Sequence, residues 1–438
     1  MLVKLLKKLA AQAVTTLVRH GWPGLVRAAL RTEQSLSLRQ RRQQCVLRLM
    51  SVAQGASLLS AQVQAVLPPR SLTLKPVRCV GLIEDQAEIH RHEHRVDLPE
   101  FSITVFHNLK LIGGTEILCA DDVILYDELA KGDPDRYGCK AFGIIPAQGF
   151  GRHLPACTNG HVLVSYRLPE KPPIPRGIHL CKDHSGNYFH WLFECLPRAI
   201  MALRQTAFAD FPLLIDGHLP KQNLQALEQI AAGREIIRIS HREMLPVGEL
   251  VFPGVFSFMR DNYGSEPAAD DLLIAPEAVH LLREAYLSPS PIRGEKRLFV
   301  ARDGASYRRL LNEKTIHRQM LALGFEIVRP ELLSFAEQVA AFSEAAVIVG
   351  PTGAGLSNMV FAPEGCKVIV LAGATKGANH FIFGQLAQWL NHELVYVCGA
   401  ARNPAKLHSD YVIDIEVLRG VLAEMDIYAP APMENRNA

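Results

Sequence analysis

The chain has 438 residues, of which 48% are hydrophobic and 21% charged, with a formal net charge of +3. This length and composition allow two or three domains with cores of their own and exclude an intrinsically disordered protein. The charge is too balanced to indicate nucleic acid as a partner, and no uninterrupted apolar run of about 18 residues predicts a membrane-spanning helix.

Residues 1–70 are predicted to form a helical, basic N-terminal extension. Residues 1–50 contain ten lysines and arginines against one acid, Glu33. Leucines recur at helical spacing beside lysines in residues 1–20, which is typical of an amphipathic helix resting on anionic lipid. The same pattern fits a surface helix packed on its own protein, and the sequence leaves both interpretations open. No cleavage site follows a clean apolar core, so we expect the segment to be retained.

The nine cysteines are scattered singly, without a Cys-x-x-Cys pair or a zinc-type cluster with histidine. This usage favours buried thiols in a reducing compartment over a disulfide framework. We therefore expect a cytoplasmic protein, lying at the inner face of the cell membrane if residues 1–20 bind lipid.

Residues 78–287 are predicted to form an α/β domain that includes an antiparallel β-meander. Short β-rich runs between residues 102 and 127 give the meander, and a Gly- and Pro-rich connection follows over residues 131–178. A helix is then predicted from Tyr188 to Arg204, and further strands and helices alternate up to a linker near residue 290.

Residues 292–400 alternate more regularly between strands and helices. Five apolar runs are separated by four helical stretches, which predicts a parallel, doubly wound sheet. Two α/β halves joined near residue 290 would face each other across a cleft. A C-terminal helix is predicted within residues 410–427, and it could cross back onto the first half.

The sharpest local signal is the glycine-rich loop within V-I-V-G-P-T-G-A-G-L-S-N-M-V-F, residues 347–361. Main-chain amides at a helix start form an anion site, and glycines allow close approach to oxygen atoms. Alternatively, the glycines only allow a tight turn that requires positive φ. The spacing is neither G-x-G-x-x-G nor a P-loop, and it follows the third strand of its domain. The first strand lacks these glycines, which speaks against NAD.

Arginines follow the neighbouring strands. Arg302 comes directly after the first strand, Arg308 and Arg309 lie a few residues on, and Arg329 ends the second. Ligands of such sheets bind at the carboxyl ends of the strands. Arg308 and Arg309 could also be solvated surface residues, so Arg302 is the strongest candidate.

The second signal is the spacing of His190, Glu194 and Arg198, which predicts one polar helix face. A carboxylate one turn away can orient an imidazole and raise its basicity, as a general base requires. The alternative is an ordinary surface salt-bridge stripe. Pro197 is predicted to kink the helix.

Four blocks in this order resemble glycosyltransferase family 61: N-Y-F-H-W-L-F-E-C-L-P-R, then L-F-V-A-R-D with R-R-L-L-N-E, then G-F-E-I-V-R-P-E-L-L-S-F-A-E-Q, then V-G-P-T-G-A-G-L-S-N-M-V-F-A-P. The resemblance covers about residues 103–400 and is firmest over 183–372. The family includes bacterial members associated with capsular polysaccharide synthesis and eukaryotic xylosyl-, arabinosyl- and N-acetylglucosaminyltransferases.

The resemblance implies an α/β, GT-B-like architecture of two Rossmann-like domains facing a cleft. It implies that the second domain holds a nucleotide-sugar donor, such as a UDP-sugar, that a glycan or lipid-linked acceptor faces the first, and that the anomeric configuration inverts. The positions matching the family's site are Arg302, Arg308 or Arg309, Gly353, Ala354, Gly355, Asn358 and His190. One departure is Thr352, where many members have histidine.

In an inverting transfer, a base deprotonates the acceptor while the nucleoside diphosphate leaves. We expect His190 to be the base, with Glu194 or Asp183 as its orienting carboxylate. Amides at 353–356 and Arg302 would stabilise the diphosphate. By analogy with other doubly wound folds, we expect Glu331 to hold the ribose hydroxyls.

No Asp-x-Asp motif lies where the diphosphate would need a metal, so we expect a metal-independent enzyme without a cofactor, for which the nucleotide-sugar is a substrate. Two alternatives remain: a catalytically silent relative that binds nucleotide-sugar or glycan as an assembly factor, and a nicotinamide-dependent enzyme.

Overall fold

A computed structural model describes residues 42–81, 84–127, 161–260, 267–288 and 294–428. The predicted lipid-binding segment 1–20, the connection 128–160 and the linker prolines Pro289 and Pro291 lie outside these residues. Within them, no helix has both the length and the apolar character needed to cross a membrane.

The described residues contain 21 strands and ten helices, together with a few shorter turns. The strands are β1 Arg42–Ser51, β2 Gln62–Leu67, β3 Arg70–Leu74, β4 Cys79–Val80, β5 His94–Leu98, β6 Phe101–Ile112, β7 Leu118–Ala120, β8 Val123–Tyr126, β9 His161–Arg167, β10 Ile174–His179, β11 Leu213–Asp216, β12 Ile236–Ile239, β13 Met244–Pro253, β14 Phe258–Met259, β15 Leu272–Leu273, β16 Lys296–Val300, β17 Glu326–Val328, β18 Ala345–Pro351, β19 Lys367–Gly373, β20 Glu393–Ala401 and β21 Tyr411–Val412. The helices are Val52–Leu58, Glu84–Arg91, Tyr188–His190, Leu196–Leu203, Lys221–Ala231, Pro276–Tyr286, Glu313–Ala322, Phe335–Ser343, Phe381–Trp389 and Ile415–Glu424.

Ten strands form a mixed sheet in the order β12-β11-β10-β13-β6-β7-β8-β1-β9, with β2 paired to β6. The predicted antiparallel meander is confirmed as β6, β7 and β8. Four neighbouring strands of this sheet, β12, β11, β10 and β13 in spatial order, are parallel, and β12 lies at the edge.

The prediction of a helical extension over residues 1–70 is confirmed for Val52–Leu58 and wrong for residues 42–51 and 62–67, which are strands. Residues 42–51 form β1, which pairs with β8 in parallel and with β9 in antiparallel orientation. Its Leu47 is buried in a cluster with residues of β6, β7 and β8. Pairing on both edges is a long-range interaction that overrides local helical spacing. Residues 42–51 and 62–67 are therefore strands of the first sheet.

The second large sheet has the order β17-β16-β18-β19-β20-β21, with β4 paired in parallel to the outside of β20. Strands β16 to β20 are all parallel, which confirms the predicted parallel sheet of five strands. Helices cover both faces, because Phe335–Ser343 and Phe381–Trp389 contribute to one apolar cluster, while Glu313–Ala322 and Ile415–Glu424 contribute to another. The C-terminal helix Ile415–Glu424 packs on this second sheet. The expectation that it crosses back onto the first half is therefore wrong.

In chain order the five parallel strands run 2-1-3-4-5, so the direction of winding reverses between β16 and β18. In open α/β sheets, ligands bind outside the carboxyl ends of the strands at such a reversal. The residues after β16 and β18 are the predicted Arg302 and the glycine-rich turn.

The two sheets share one hydrophobic cluster. Tyr286 of the helix Pro276–Tyr286 packs edge-on against Phe335, at a centroid distance of 4.8 Å. Arg283 of the same helix donates to the carbonyls of Val360 and Ala362, each at 2.7 Å. The helix Pro276–Tyr286 thereby contacts both the helix Phe335–Ser343 and the end of the segment that follows the glycine-rich turn. The seven cysteines among the described residues are unpaired, as expected.

Candidate functional site

The segment that carries His190 is a helix interrupted by a π turn. The Asn187 side chain accepts a bond from Phe189 N at 2.9 Å and begins the helix. A π turn then covers Trp191–Cys195, in which Leu196 N donates to Trp191 O. Pro197 has no N–H for an α-helical bond, so the local distortion lies where proline predicts it.

This π turn separates the three residues predicted to share a polar face. Arg198 is 1% exposed and donates from Nε to the carbonyl of Pro253 at 2.8 Å. Its guanidinium lies over the ring of Phe252. The predicted stripe of His190, Glu194 and Arg198 is therefore wrong for Arg198, because the wider turn rotates the following residues into the core.

His190 and Glu194 do come together. Nδ1 of His190 lies 2.7 Å from Oε1 of Glu194, whose side chain is only 3% exposed. Burial opposes ionisation of this carboxyl, but the nearby charges of Lys182 and His190 outweigh it and lower the pKa of Glu194. An ionised carboxylate can only accept, so Nδ1 carries the hydrogen, and in the neutral form of the ring Nε2 is the nitrogen with the lone pair.

The other oxygen of Glu194 binds a buried lysine. Lys182 Nζ lies 3.0 Å from Glu194 Oε2, 2.7 Å from Glu116 Oε2 and 3.5 Å from Asp183 Oδ1. Of the two carboxylates considered as the orienting group, Glu194 is the one bonded to Nδ1, and Asp183 lies beside Lys182. The ring of His184 stacks on His190, at a centroid distance of 5.4 Å.

The loop 182–185 is fixed by a carboxylate at the end of β11. Asp216 accepts bonds from Lys182 N at 2.9 Å, Ser185 Oγ at 2.7 Å and Gly114 N at 2.5 Å. Burial raises the pKa of Asp216 in spite of these bonds, which favour its charged form. The loop that carries Lys182 is thus attached to both β11 and the β6–β7 hairpin.

Arg302, directly after β16, lies against the glycine-rich turn. A Cβ built on Gly353 would come within 3.1 Å of Arg302 Nε. The backbone N of Arg302 donates to Glu313 Oε1 at 2.7 Å, and its guanidinium donates to the carbonyl of Arg308 at 3.0 Å. Both ends of the residue are therefore held, which places its charge at the reversal of the sheet.

The structure separates the two candidates for the second arginine. Arg308 shares the ring of Tyr307 with Arg302, each guanidinium lying 5.4 Å from the ring centroid. Burial, followed by the positive charge of Arg302, lowers the pKa of Arg308. Arg309 instead pairs with Asp410 at 2.6 Å, and its side chain is 53% exposed. Arg308 is thus the arginine that adds positive charge beside Arg302.

The segment after β18 is a 3₁₀ helix, Ala354–Phe361. Thr352 N donates to Leu371 O at 2.8 Å, which continues the sheet up to the turn. A Cβ on Gly355 would lie 3.3 Å from both Pro330 and Val300, so the turn packs closely on the neighbouring strands.

A hydrogen-bonded chain joins this turn to the segment of His190. Tyr188 Oη donates to Asn358 Oδ1 at 2.6 Å, and Asn358 Nδ2 donates to Gln338 Oε1 at 2.8 Å. Asn358 Nδ2 also lies 3.2 Å from the carbonyl of Gly355. Burial raises the pKa of Tyr188, so its phenol stays a donor. The two predicted halves of the site therefore meet through Tyr188 and Asn358.

Glu331, expected to hold ribose, is exposed in the 3₁₀ turn Pro330–Leu332. Its carbonyl accepts a bond from Gln222 Nε2 at 3.1 Å. Its role stays a prediction.

Among the described residues, one group has possible metal-ligand atoms within 4.8 Å of one another, namely Asp303, Glu313 and His317. Glu313 already accepts from Arg302 N, and Asp303 pairs with Arg329 at 2.7 Å. These carboxylates thus hold the arginine loop, and the expectation of metal independence stays a prediction.

Sequence reasoning missed the residues that support the site, among them Lys182, Glu116, Asp216 and Tyr188. Asp216 ends the apolar run L-L-I-D, and Tyr188 lies two residues before His190, so both carried a local signal. Glu116 lies 66 residues before Lys182, and no local pattern joins the two.

A protein-family model, Glycosyltransferase 61, matches residues 188–369. The match supports the resemblance to glycosyltransferase family 61. It runs from the first residue of the His190 segment to β19, and it includes Arg302, Arg308 and the glycine-rich turn. No curated protein matches the chain.

Proposed function

We propose that the protein is an inverting glycosyltransferase that moves a sugar from a nucleoside-diphosphate donor, a UDP-sugar, to a hydroxyl group of a glycan or lipid-linked acceptor. One observation carries the proposal: the glycine-rich turn, which lies against Arg302 at the sheet reversal, is hydrogen-bonded through Asn358 and Tyr188 to the segment of a histidine that a carboxylate orients.

The arginine pair and the turn suit a diphosphate. Arg302 and Arg308 bring two positive charges to one ring, that of Tyr307. The two charges repel each other, and an anion bound between or beside them would offset this repulsion. The 3₁₀ helix begins at Ala354, next to the residue that lies against Arg302, and main-chain N–H groups at a helix start favour a bound anion. Charge that develops on the leaving diphosphate is stabilised best by such preorganised donors.

His190 is suited to act as the general base. Its Nδ1–H is held by Glu194, so the Nε2 lone pair can take the proton of the acceptor hydroxyl as its oxygen attacks the anomeric carbon. The bond from that carbon to the diphosphate oxygen breaks, and the electron pair leaves with the diphosphate. Attack from the face opposite to the leaving group inverts the configuration. Glu194 stabilises the imidazolium that forms.

The arginines supply positive charge where a metal ion would otherwise be needed, and we propose that the transfer requires no metal and no cofactor. The resemblance further suggests a role in the synthesis of surface or capsular polysaccharide. A cytoplasmic location, with residues 1–20 in contact with the membrane, would bring a lipid-linked acceptor to the site.

Nucleotide binding tests the donor class directly. Uridine diphosphate at about 100 times its dissociation constant is expected to stabilise the protein by about 2.7 kcal/mol, and NAD is not. A thermal-unfolding assay with and without a chelator measures this, and the same increase in Tm is expected in both. Stabilisation by NAD alone would contradict the proposal. Transfer from a panel of UDP-sugars, with the product anomer assigned by NMR, then tests the reaction.

Gly353→Ala is expected to weaken binding of uridine diphosphate about tenfold, equivalent to about 1.4 kcal/mol. The backbone at Gly353 is extended (φ 169°), which alanine adopts readily, but the new Cβ would press on Nε and Cδ of Arg302 at 3.1 and 3.2 Å. The guanidinium must move, while the fold should stay intact. Isothermal titration measures the affinity, and urea unfolding checks the stability.

Gly420→Ala is the matched control, because a Cβ at that position meets nothing within 4 Å. It should bind uridine diphosphate like the parent. Equal affinity in the Gly353 and Gly420 variants would show that Arg302 does not contact the diphosphate.

A further inference from the structure

We propose that Lys182 and Glu116 form a buried charge pair that sets how readily His190 holds a proton, and that they are positioning residues for the base. This inference rests on the proposed function, because it concerns the same histidine. Neither residue bonds to His190 directly. Lys182 acts on His190 through Glu194, and Glu116 acts through Lys182.

The connection is a continuous line of contacts in the core. From Glu116 Oε2 to Lys182 Nζ is 2.7 Å, from Lys182 Nζ to Glu194 Oε2 is 3.0 Å, and from Glu194 Oε1 to His190 Nδ1 is 2.7 Å. The side chains of Glu116, Lys182 and Glu194 are 0%, 6% and 3% exposed. Water therefore screens these charges little, and each one acts strongly on the next.

Glu194 alone would favour the imidazolium. A carboxylate within hydrogen-bond distance stabilises the protonated form of a histidine, and a base that already holds its proton cannot accept another. The positive charge of Lys182 offsets part of the negative charge of Glu194 and thereby weakens the stabilisation of the imidazolium. Burial opposes the charge on Lys182 as well, but Glu116, Glu194 and Asp183 together raise its pKa well above the usual value, so it stays positive.

Glu116 works in the opposite direction to Lys182. Without it, the positive charge of Lys182 would be compensated mainly by Glu194 and by the partly exposed Asp183, and His190 would lose its proton more readily. The charged and titratable groups that face His190 are Glu194, Lys182 behind it, and the stacked His184. Removing Lys182 and removing Glu116 should therefore shift the protonation of His190 in opposite directions.

The experiment compares Lys182→Met and Glu116→Gln with the parent. The pH dependence of kcat/KM with the identified UDP-sugar gives one readout, and the ¹⁵N shifts of the His190 ring in histidine-labelled protein give a second one that needs no transfer. The acid limb and the ring titration should move to higher pH by about one unit in Lys182→Met, and to lower pH by a similar amount in Glu116→Gln. Exposed Lys75→Met serves as the control and should move neither.

Shifts in the same direction, or no shift in either variant, would overturn the inference, since a merely structural role would not reverse sign between the two. If Lys182→Met does not fold, the near-isosteric Glu116→Gln still decides, because only a shift to lower pH agrees with the inference. A parent protein without transfer activity would contradict the proposed function, and the ring titration would still test the charge pair.

Discussion

His190→Ala is expected to reduce the rate of sugar transfer by about 10² to 10⁴-fold, the usual contribution of a positioned general base. The affinity for uridine diphosphate should stay unchanged, because the arginines and the glycine-rich turn remain. The loss should appear in kcat more than in KM, since the proton moves only as the acceptor oxygen attacks. Initial rates at saturating UDP-sugar, together with isothermal titration of uridine diphosphate, measure the two effects separately.

His280→Ala is the control for the substitution itself, because His280 is exposed on the helix Pro276–Tyr286. It should transfer sugar at the parental rate. Full activity in His190→Ala would show that another group removes the proton. Diphosphate binding without transfer in the parent would instead favour a catalytically silent relative.

The second sheet was predictable because its information is local. Five apolar runs separated by four helical stretches predict parallel strands, because a helical crossover returns the chain to the same edge of the sheet, and the crossover is right-handed. The sequence could therefore place Arg302 and the glycine-rich turn at the same carboxyl edge of the sheet, but the adjacency of β16 and β18 follows from the strand order 2-1-3-4-5, which the structure shows.

The N-terminal strands and the π turn were not predictable in the same way. β1 is held by β8 and by β9, which lie about 75 to 120 residues later in the chain, and helical spacing of leucines says nothing about such partners. The π turn shifts the helical phase after His190, so counting 100° per residue places Glu194 correctly and Arg198 wrongly. Distortions of this kind are frequent at functional sites.

The adjacent residues Arg308 and Arg309 illustrate what the local sequence leaves undecided. Two adjacent arginines in a loop are equivalent by pattern, and only long-range partners distinguish them. Asp410, a hundred residues later, accepts from Arg309 through both Nε and a terminal nitrogen, whereas Arg308 turns to Tyr307 and Arg302. The structure thereby provides a matched pair of substitutions for the donor site.

Arg302→Met is expected to weaken the binding of uridine diphosphate by about 10 to 100-fold. A hydrogen bond to a charged group contributes about 1.5 to 3 kcal/mol, and tenfold in affinity corresponds to about 1.4 kcal/mol. Methionine keeps much of the length of the side chain, so the packing against Gly353 is largely preserved. Titration at several salt concentrations should show that the remaining affinity depends less on ionic strength than that of the parent.

Arg309→Met is the matched control, with the same change of charge seven residues away. Its ion pair with Asp410 is exposed, and such pairs contribute little to stability, so this variant should bind uridine diphosphate nearly like the parent. A greater loss in Arg309→Met than in Arg302→Met would mean that the diphosphate lies on the Asp410 side of the loop. The sheet reversal would then not be the donor site. Both substitutions remove one positive charge, so the change in net charge cannot explain a greater loss of affinity in Arg309→Met.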